Sequence, residues 1–220
     1  MIKKIINRFN YFLFDSFGIP KTKNDKIALA YLKKFLPSNP TVIDCGAHDG
    51  SDTVVLQQKL GGRVYAFEVV PEIFERLKQR TANNKNIICF PIALAAETGT
   101  AKFYVGEGSS DASSSLLAPK EHLVDHPDIN FDRTITVETN TLDDWAAKQG
   151  ITSIDFLWLD MQGAELMMLQ HSPKILATVK MIHTEVSVRE TYEGVTLYKD
   201  YKNWLTANGF KLIAEAIPTG

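Results

Sequence analysis

The sequence predicts an α/β domain in which a mostly parallel sheet is covered by helices on both faces. Three observations carry this expectation. From Pro40 onward, short apolar runs rich in Val, Ile, Phe and Tyr alternate with longer amphipathic ones, and parallel strands need a crossover of helical length between them. A glycine-bearing turn, Asp44-Cys45-Gly46-Ala47-His48-Asp49-Gly50, stands where the first apolar run hands over to an amphipathic one. The next apolar run closes on an acid, Glu68. At 220 residues, 45% apolar and 23% charged, the chain has material for one real core and is neither a disordered tail nor a small stapled scaffold.

Taken in order, residues 1–39 read as a helical lead-in and residues 40–220 as the domain. In the lead-in, Ile2, Ile5, Ile6, Phe9 and Leu13 recur at helical spacing beside Lys3, Lys4 and Arg8. That pattern suits packing on the domain, a homodimer or other partner contact, or peripheral contact with a membrane surface. Asn7, Arg8 and Asn10 interrupt it too soon for a signal peptide or a span. TVIDCG is the first strand, followed by a helix from Ser51 or Asp52 to Leu60 and by the strand GRVYAFE ending at Glu68. Pro71 opens the next helix, where its missing N–H costs nothing. NIICFPIAL is the third strand. A β-hairpin and loop insertion follows: ETGTAKFYV and RTITVET as strands, and the stretch 106–128 between them as a long loop, a length that usually signals function. Then come the helix TLDDWAAKQ, the strand SIDFLWLD, a turn and helix QGAELMMLQH, the strand MIHTEV, the helix LYKDYKNWLTANG closed by Gly209, and the last strand FKLIAEAI.

Charge and cysteines narrow the function classes. Lys and Arg total 24 against 26 acids, a net charge of −2, which offers no electrostatic footprint for nucleic acid. Cys45 and Cys89 fall in apolar strands without CxxC or metal-ligand spacing, so a reducing cytoplasm is the expected compartment.

The turn from Asp44 to Gly50 lets backbone approach a ligand in front of a helix N-terminus. A dinucleotide fingerprint would be GxGxxG, whereas His48 and Ser51 stand at two of the close-approach positions. Glu68, about 20 residues on, is placed to accept both hydrogen bonds of a ribose diol. The set describes an adenosine site with no required diphosphate, which S-adenosylmethionine fits better than NAD. A nicotinamide-dependent oxidoreductase and a non-catalytic nucleotide- or glycan-binding module are the alternatives.

The segments VIDCGAHDGSDT, FEVVPEIFERL, IALAAETGTAKFYV, TLDDW and LDMQGAELMMLQ, in that order, resemble the FkbM-type methyltransferases from about Thr41 to about Phe210. The resemblance implies a single Rossmann-like class I methyltransferase domain, S-adenosylmethionine as cofactor, and O-methylation of a hydroxyl on a sugar, glycan or related polyhydroxylated product. By position, Asp44, Gly46, Ala47, His48 and Gly50 would shape the methionine end of the cofactor site, Glu68 and Val69 would face the ribose, and Ala93 and Leu94 would lie along the adenine. Gln162 stands where many relatives carry Glu. The final antiparallel strand usual in the fold is not apparent before Gly220, so either the chain is truncated or an N-terminal or partner element covers that edge.

Ligands of open α/β sheets lie beyond the carboxyl ends of the strands. Those ends supply Asp160, a base or acceptor-orienting group also beside the cofactor, and His183 with Glu185, two apart and so on one side of their strand. Either of these last two is the alternative base. Glu165 adds a carboxylate at the next helix start. Asp160, Glu165 and Glu185 are hard ligands that would suit Mg²⁺ or Mn²⁺, although no motif requires a metal. Ser114 and Ser115 in the serine-rich loop, with Gln162 and Tyr192, are the acceptor-binding candidates; the loop itself reads either as linker or as lid. Trp145, Trp158 and Trp204 read as packing residues.

Overall fold

TVIDC, RVYAF and FLWL, in the middle of the main sheet, are short, nearly unbroken apolar runs because both of their faces are covered. A computed structural model describes residues 10–16 and 32–216. Ten strands are assigned: β1 (Asn10–Ser16), β2 (Thr41–Cys45), β3 (Arg63–Phe67), β4 (Ile87–Phe90), β5 (Ala93–Leu94), β6 (Gly99–Gly108), β7 (Ile129–Asn140), β8 (Phe156–Leu159), β9 (Met181–Val186) and β10 (Phe210–Ala216). The helices are α1 (Ser51–Leu60), α2 (Pro71–Thr81), α3 (His122–Asp125), α4 (Leu142–Lys148), α5 (Glu165–Gln170), α6 (Pro173–Leu176) and α7 (Tyr198–Ala207). Seven strands form one sheet in the order β10-β1-β9-β8-β2-β3-β4, with every pairing parallel.

Period-two alternation sorts the side chains into two layers. Ile43, Cys45, Tyr65, Phe67, Leu157, Leu159 and Ile182 pack against α4 to α7 through Trp145, Leu166, Met168, Ile175, Tyr201 and Leu205. Val42, Val64, Ala66, Phe156 and Met181 pack on the other face against Leu56 and Leu60 of α1 and Leu77 of α2. The inserted hairpin is a second sheet, β5-β7-β6, with its own small cluster around Val70, Ile73, Phe103 and Val137.

Three expectations are corrected. The stretch read as one third strand is two: β4 ends at Phe90, and β5 pairs with β7 in the second sheet. The break falls at Pro91, which has no N–H to continue a ladder. Within the lead-in, residues 10–16 are a strand, not a helix; β1 lies between β9 and β10 and pairs with both, so its backbone groups are satisfied laterally. Leu13 belongs to that strand, while Ile2, Ile5, Ile6 and Phe9 lie outside the described residues. An N-terminal element therefore occupies the place beside β9 where the antiparallel strand was sought. Third, the long loop contains the short helix α3 and joins β6 at the Tyr104–Ser115 bridge. Among the described residues no helix is long and apolar enough to cross a membrane.

Candidate active site

The site is built where β2, β3 and β8 end. Gly46 has φ +79°, and a Cβ there would lie 1.8 Å from the main-chain oxygen of Asp160, so only glycine lets the turn after β2 touch the turn after β8. Asp160 N–H in return donates to Cys45 O at 2.9 Å. Gly46 and Ala47 N–H both donate to Phe67 O, at 3.1 and 2.9 Å. Glu68 is thereby set opposite the turn, where Oε2 accepts from His48 N–H at 3.2 Å and Oε1 from Val70 N–H at 2.8 Å. Each carboxylate oxygen keeps a lone pair for a ligand.

These groups enclose a cavity of about 340 Å³. Asp44, Gly46, Ala47, His48, Glu68, Val69, Ala93, Leu94, Ser114, Asp160 and Gln162, all expected at the site, line it. Ile73, Ile92, Phe103, Asp111 and Trp158 line it too and were not anticipated. Asp111 had one legible signal, being the lone charge in the serine-rich run. It ties that run across the cavity mouth, with Oδ1 2.7 Å from His48 Nε2 and Oδ2 bonded to Arg76. Trp158, read as packing, is half-buried with its ring stacked on His183 at 3.8 Å between centroids.

Several candidates are placed elsewhere. Gly50 is buried at the start of α1 with φ +82°, and a Cβ there would meet Leu77 of α2 at 2.7 Å; it serves the helix start and helix packing, and it does not line the cavity. Glu165 is 3% exposed, with Oε1 accepting from Met161 N–H at 2.8 Å and Gly163 N–H at 3.3 Å, so it holds the turn before α5. Tyr192 is 1% exposed, its hydroxyl 2.8 Å from Ser113 O and 3.1 Å from Gln162 Oε1. Ser115 is buried and donates to Gln162 O at 2.9 Å. Ser114 Oγ, at the cavity wall, accepts from Gly106 N–H at 3.0 Å. Glu185, Glu165 and Tyr192 line a small adjoining cavity that meets the first at Gln162. His183, on the strand side expected, lines neither. Among the described residues no group of three metal-ligating side chains gathers, because Gln162 stands between Asp160 and Glu185 and Glu165 faces amides.

Burial dominates the electrostatics. It pushes the Asp44 carboxyl up to about 7, against the hydrogen bond from Thr53 Oγ at 2.6 Å and with the neighbouring acids Asp52, Asp160 and Glu68 adding to the rise. Burial likewise raises Glu165 to about 7 and moves Glu68 upward, although backbone donors oppose both. Among the described residues the lining carries Asp44, Asp49, Asp52, Glu68, Asp111 and Asp160 and no lysine or arginine. Arg80 pairs with Asp49 and Arg76 with Asp111.

The family described as "Methyltransferase FkbM domain" matches residues 44–212. The 2-O-methyltransferase NoeI of Sinorhizobium fredii is 34% identical over 162 residues, 71% of this chain and 67% of that protein. Among solved structures, a fibrillarin/Nop5p complex aligns with a TM-score of 0.45 and 14% identity over 84% of this chain and 68% of that one. The 23S rRNA methyltransferase ErmE aligns with a TM-score of 0.29 and 21% identity over 36% and 32%. Both scores are too low for sites to be read across. The chain belongs to the FkbM methyltransferase family, and it is an S-adenosylmethionine-dependent methyltransferase.

Proposed function

We propose that this methyltransferase transfers its methyl group to a hydroxyl of an uncharged sugar or glycan, with Asp160 receiving the hydroxyl proton. The observation that carries the cofactor half is Glu68: a carboxylate fixed by two amides at the cavity wall, with a lone pair left on each oxygen for the two hydroxyls of a ribose. The cavity fits the group, since Gly46 lets the turn after β2 lie against the turn at Asp160 and Ile73, Ala93, Leu94 and Phe103 supply apolar wall for a flat base. When bound, the cofactor supplies an electrophilic methyl carbon on a sulfonium. Glu68 and the turn at Gly46 would hold the cofactor, and a carboxylate oxygen of Asp160 would take the proton that the acceptor hydroxyl gives up in exchange for the methyl group, a neutral thioether being the other product. Alignment of oxygen, carbon and sulfur is the main demand on the protein, and a base at hydrogen-bond range adds about 10²- to 10⁴-fold.

Asp160 supports the acceptor half, because a carboxylate at the reacting hydroxyl disfavours a phosphate there. The name of NoeI supports an oxygen acceptor. Two substitutions test the assignments by calorimetry with S-adenosylhomocysteine and by transfer of labelled methyl to a panel of unphosphorylated glycosides and their phosphates. Glu68→Ala should weaken the thioether's binding by about 10-fold or more, as loss of charge-assisted hydrogen bonds implies; parental affinity would sink the ribose role. Asp160→Asn should bind it within a few-fold of the parent and lose transfer by about 100-fold or more. Transfer at the parental rate removes Asp160 as base and moves the role to Glu185 or His183.

A further inference from the structure

Gln162 has φ +54°, one of two non-glycine residues with positive φ among the described residues, and Gly163 follows at +99°. Backbone of that kind is strained and persists where the surroundings over-determine it. Here they do. Ser115 Oγ holds the main-chain oxygen at 2.9 Å, and the Tyr192 hydroxyl, its one hydrogen shared with Ser113 O at 2.8 Å, lies 3.1 Å from Oε1. Nε2 then donates to Asp160 Oδ1 at 2.7 Å and reaches Glu185 Oε2 at 3.5 Å. The reverse orientation of the amide would set its oxygen against two carboxylates, so the electrostatics admit one assignment. A carboxamide nitrogen has two hydrogens, which is the number needed to bridge two acids.

We propose that Gln162 is a positioning residue: its carboxamide donates to Asp160, reaches Glu185 and so aims Asp160 at the acceptor. The inference rests on the reading of Asp160 given above. Three segments meet the side chain, the turn after β8 at Asp160, β9 at Glu185 and the turn at Tyr192, while the serine-rich run holds its main chain through Ser115. At 5% exposure it is sealed from water that would compete for those bonds. A glutamate at 162 would bring a third carboxylate into contact with the first two, a set of hard oxygens that repel one another until a divalent cation joins them.

The test uses the full chain, with Mn²⁺ as probe followed by the loss of its free-ion electron paramagnetic resonance signal, and S-adenosylhomocysteine calorimetry as the measure of an intact fold. The parent should bind no Mn²⁺ at this place, Gln162→Glu should take up about one ion per chain, and the double variant Gln162→Glu with Glu185→Gln should lose it. Equal uptake by parent and Gln162→Glu, or none by Gln162→Glu, overturns the bridge. Gln162→Leu, which adds no charge, should keep thioether affinity within about threefold and lower kcat by about 10-fold. In Gln162→Glu, Mn²⁺ should restore part of the lost kcat, a rescue that a merely structural role would not give. A parental kcat in Gln162→Leu overturns positioning. If Asp160→Asn keeps parental transfer while the Mn²⁺ pattern holds, the base assignment fails and the bridge stands.

Discussion

At the scale of single residues, the heaviest electrostatic load falls on acids without a salt partner close by. Asp44 and Glu165 each accept hydrogen bonds but lie inside the protein, and burial lifts both to about 7. In the unfolded chain they would titrate near 3.8 and 4.5. Between about pH 4 and 7 the folded state therefore holds protons that the unfolded state has released, and its stability falls as pH rises through that window. Each group accounts for a loss on the order of 3–4 kcal/mol. Urea unfolding of the ligand-free protein should give a lower midpoint at pH 8 than at pH 5, and Asp44→Asn should flatten the difference. A parent equally stable at both pH values would contradict the burial of these carboxyls in neutral form. The same residues mark the reach of sequence reading. Asp44, Gly46 and Glu68 were legible because their spacing is local to one strand-turn-helix-strand unit. The role of Glu165 was not, since an acid at a helix start reads alike whether it faces a ligand or, as here, amides of its own turn.

At the scale of elements, the serine-rich run is the piece with the least local reason for its position. It carries no helix between Ser109 and Ser115 and is tied down at the Tyr104–Ser115 bridge and at Asp111, which holds His48 and Arg76. Asp111→Ala removes the second tie and should speed dissociation of S-adenosylhomocysteine by about 10-fold in stopped-flow displacement, the size expected for about 1.4 kcal/mol of lost contact. An unchanged rate would show that the run does not cover the cofactor. Element reading from sequence did well where pattern and end signals agree: β9 has the bounds read from MIHTEV, and α1 runs from Ser51 to Leu60 as expected. It failed at NIICFPIAL, where one apolar run serves two sheets. It failed again at β1, where Leu13 continues a helical spacing that starts at Ile2 but the strand's partners lie far away in sequence. Phe103 and Asp111 escaped notice for the same reason: what brings them to the cavity is the docking of the inserted sheet, which no local spacing records.

At the scale of the whole molecule, the sheet carries its two covering layers across seven strands, and β1 is the only link between β10 and the other five. Leu13→Pro would delete an N–H from a strand paired on both sides and should cost about 3 kcal/mol or more. The thermal midpoint should fall accordingly, whereas an unchanged midpoint would deny β1 its interior place. The order of the strands also bears on how the protein comes into being. β1 is made first, but its neighbours β9 and β10 end at Val186 and Ala216. A nascent chain on the ribosome therefore exposes an unpaired strand edge from the synthesis of β1 until that of β9, a template for association with other chains. Closing the sheet then requires the two ends of the described chain to find each other, a contact of high order that makes the last step of folding slow. A chaperone that shields the first residues until β9 has emerged would raise the yield of active enzyme without touching its active site.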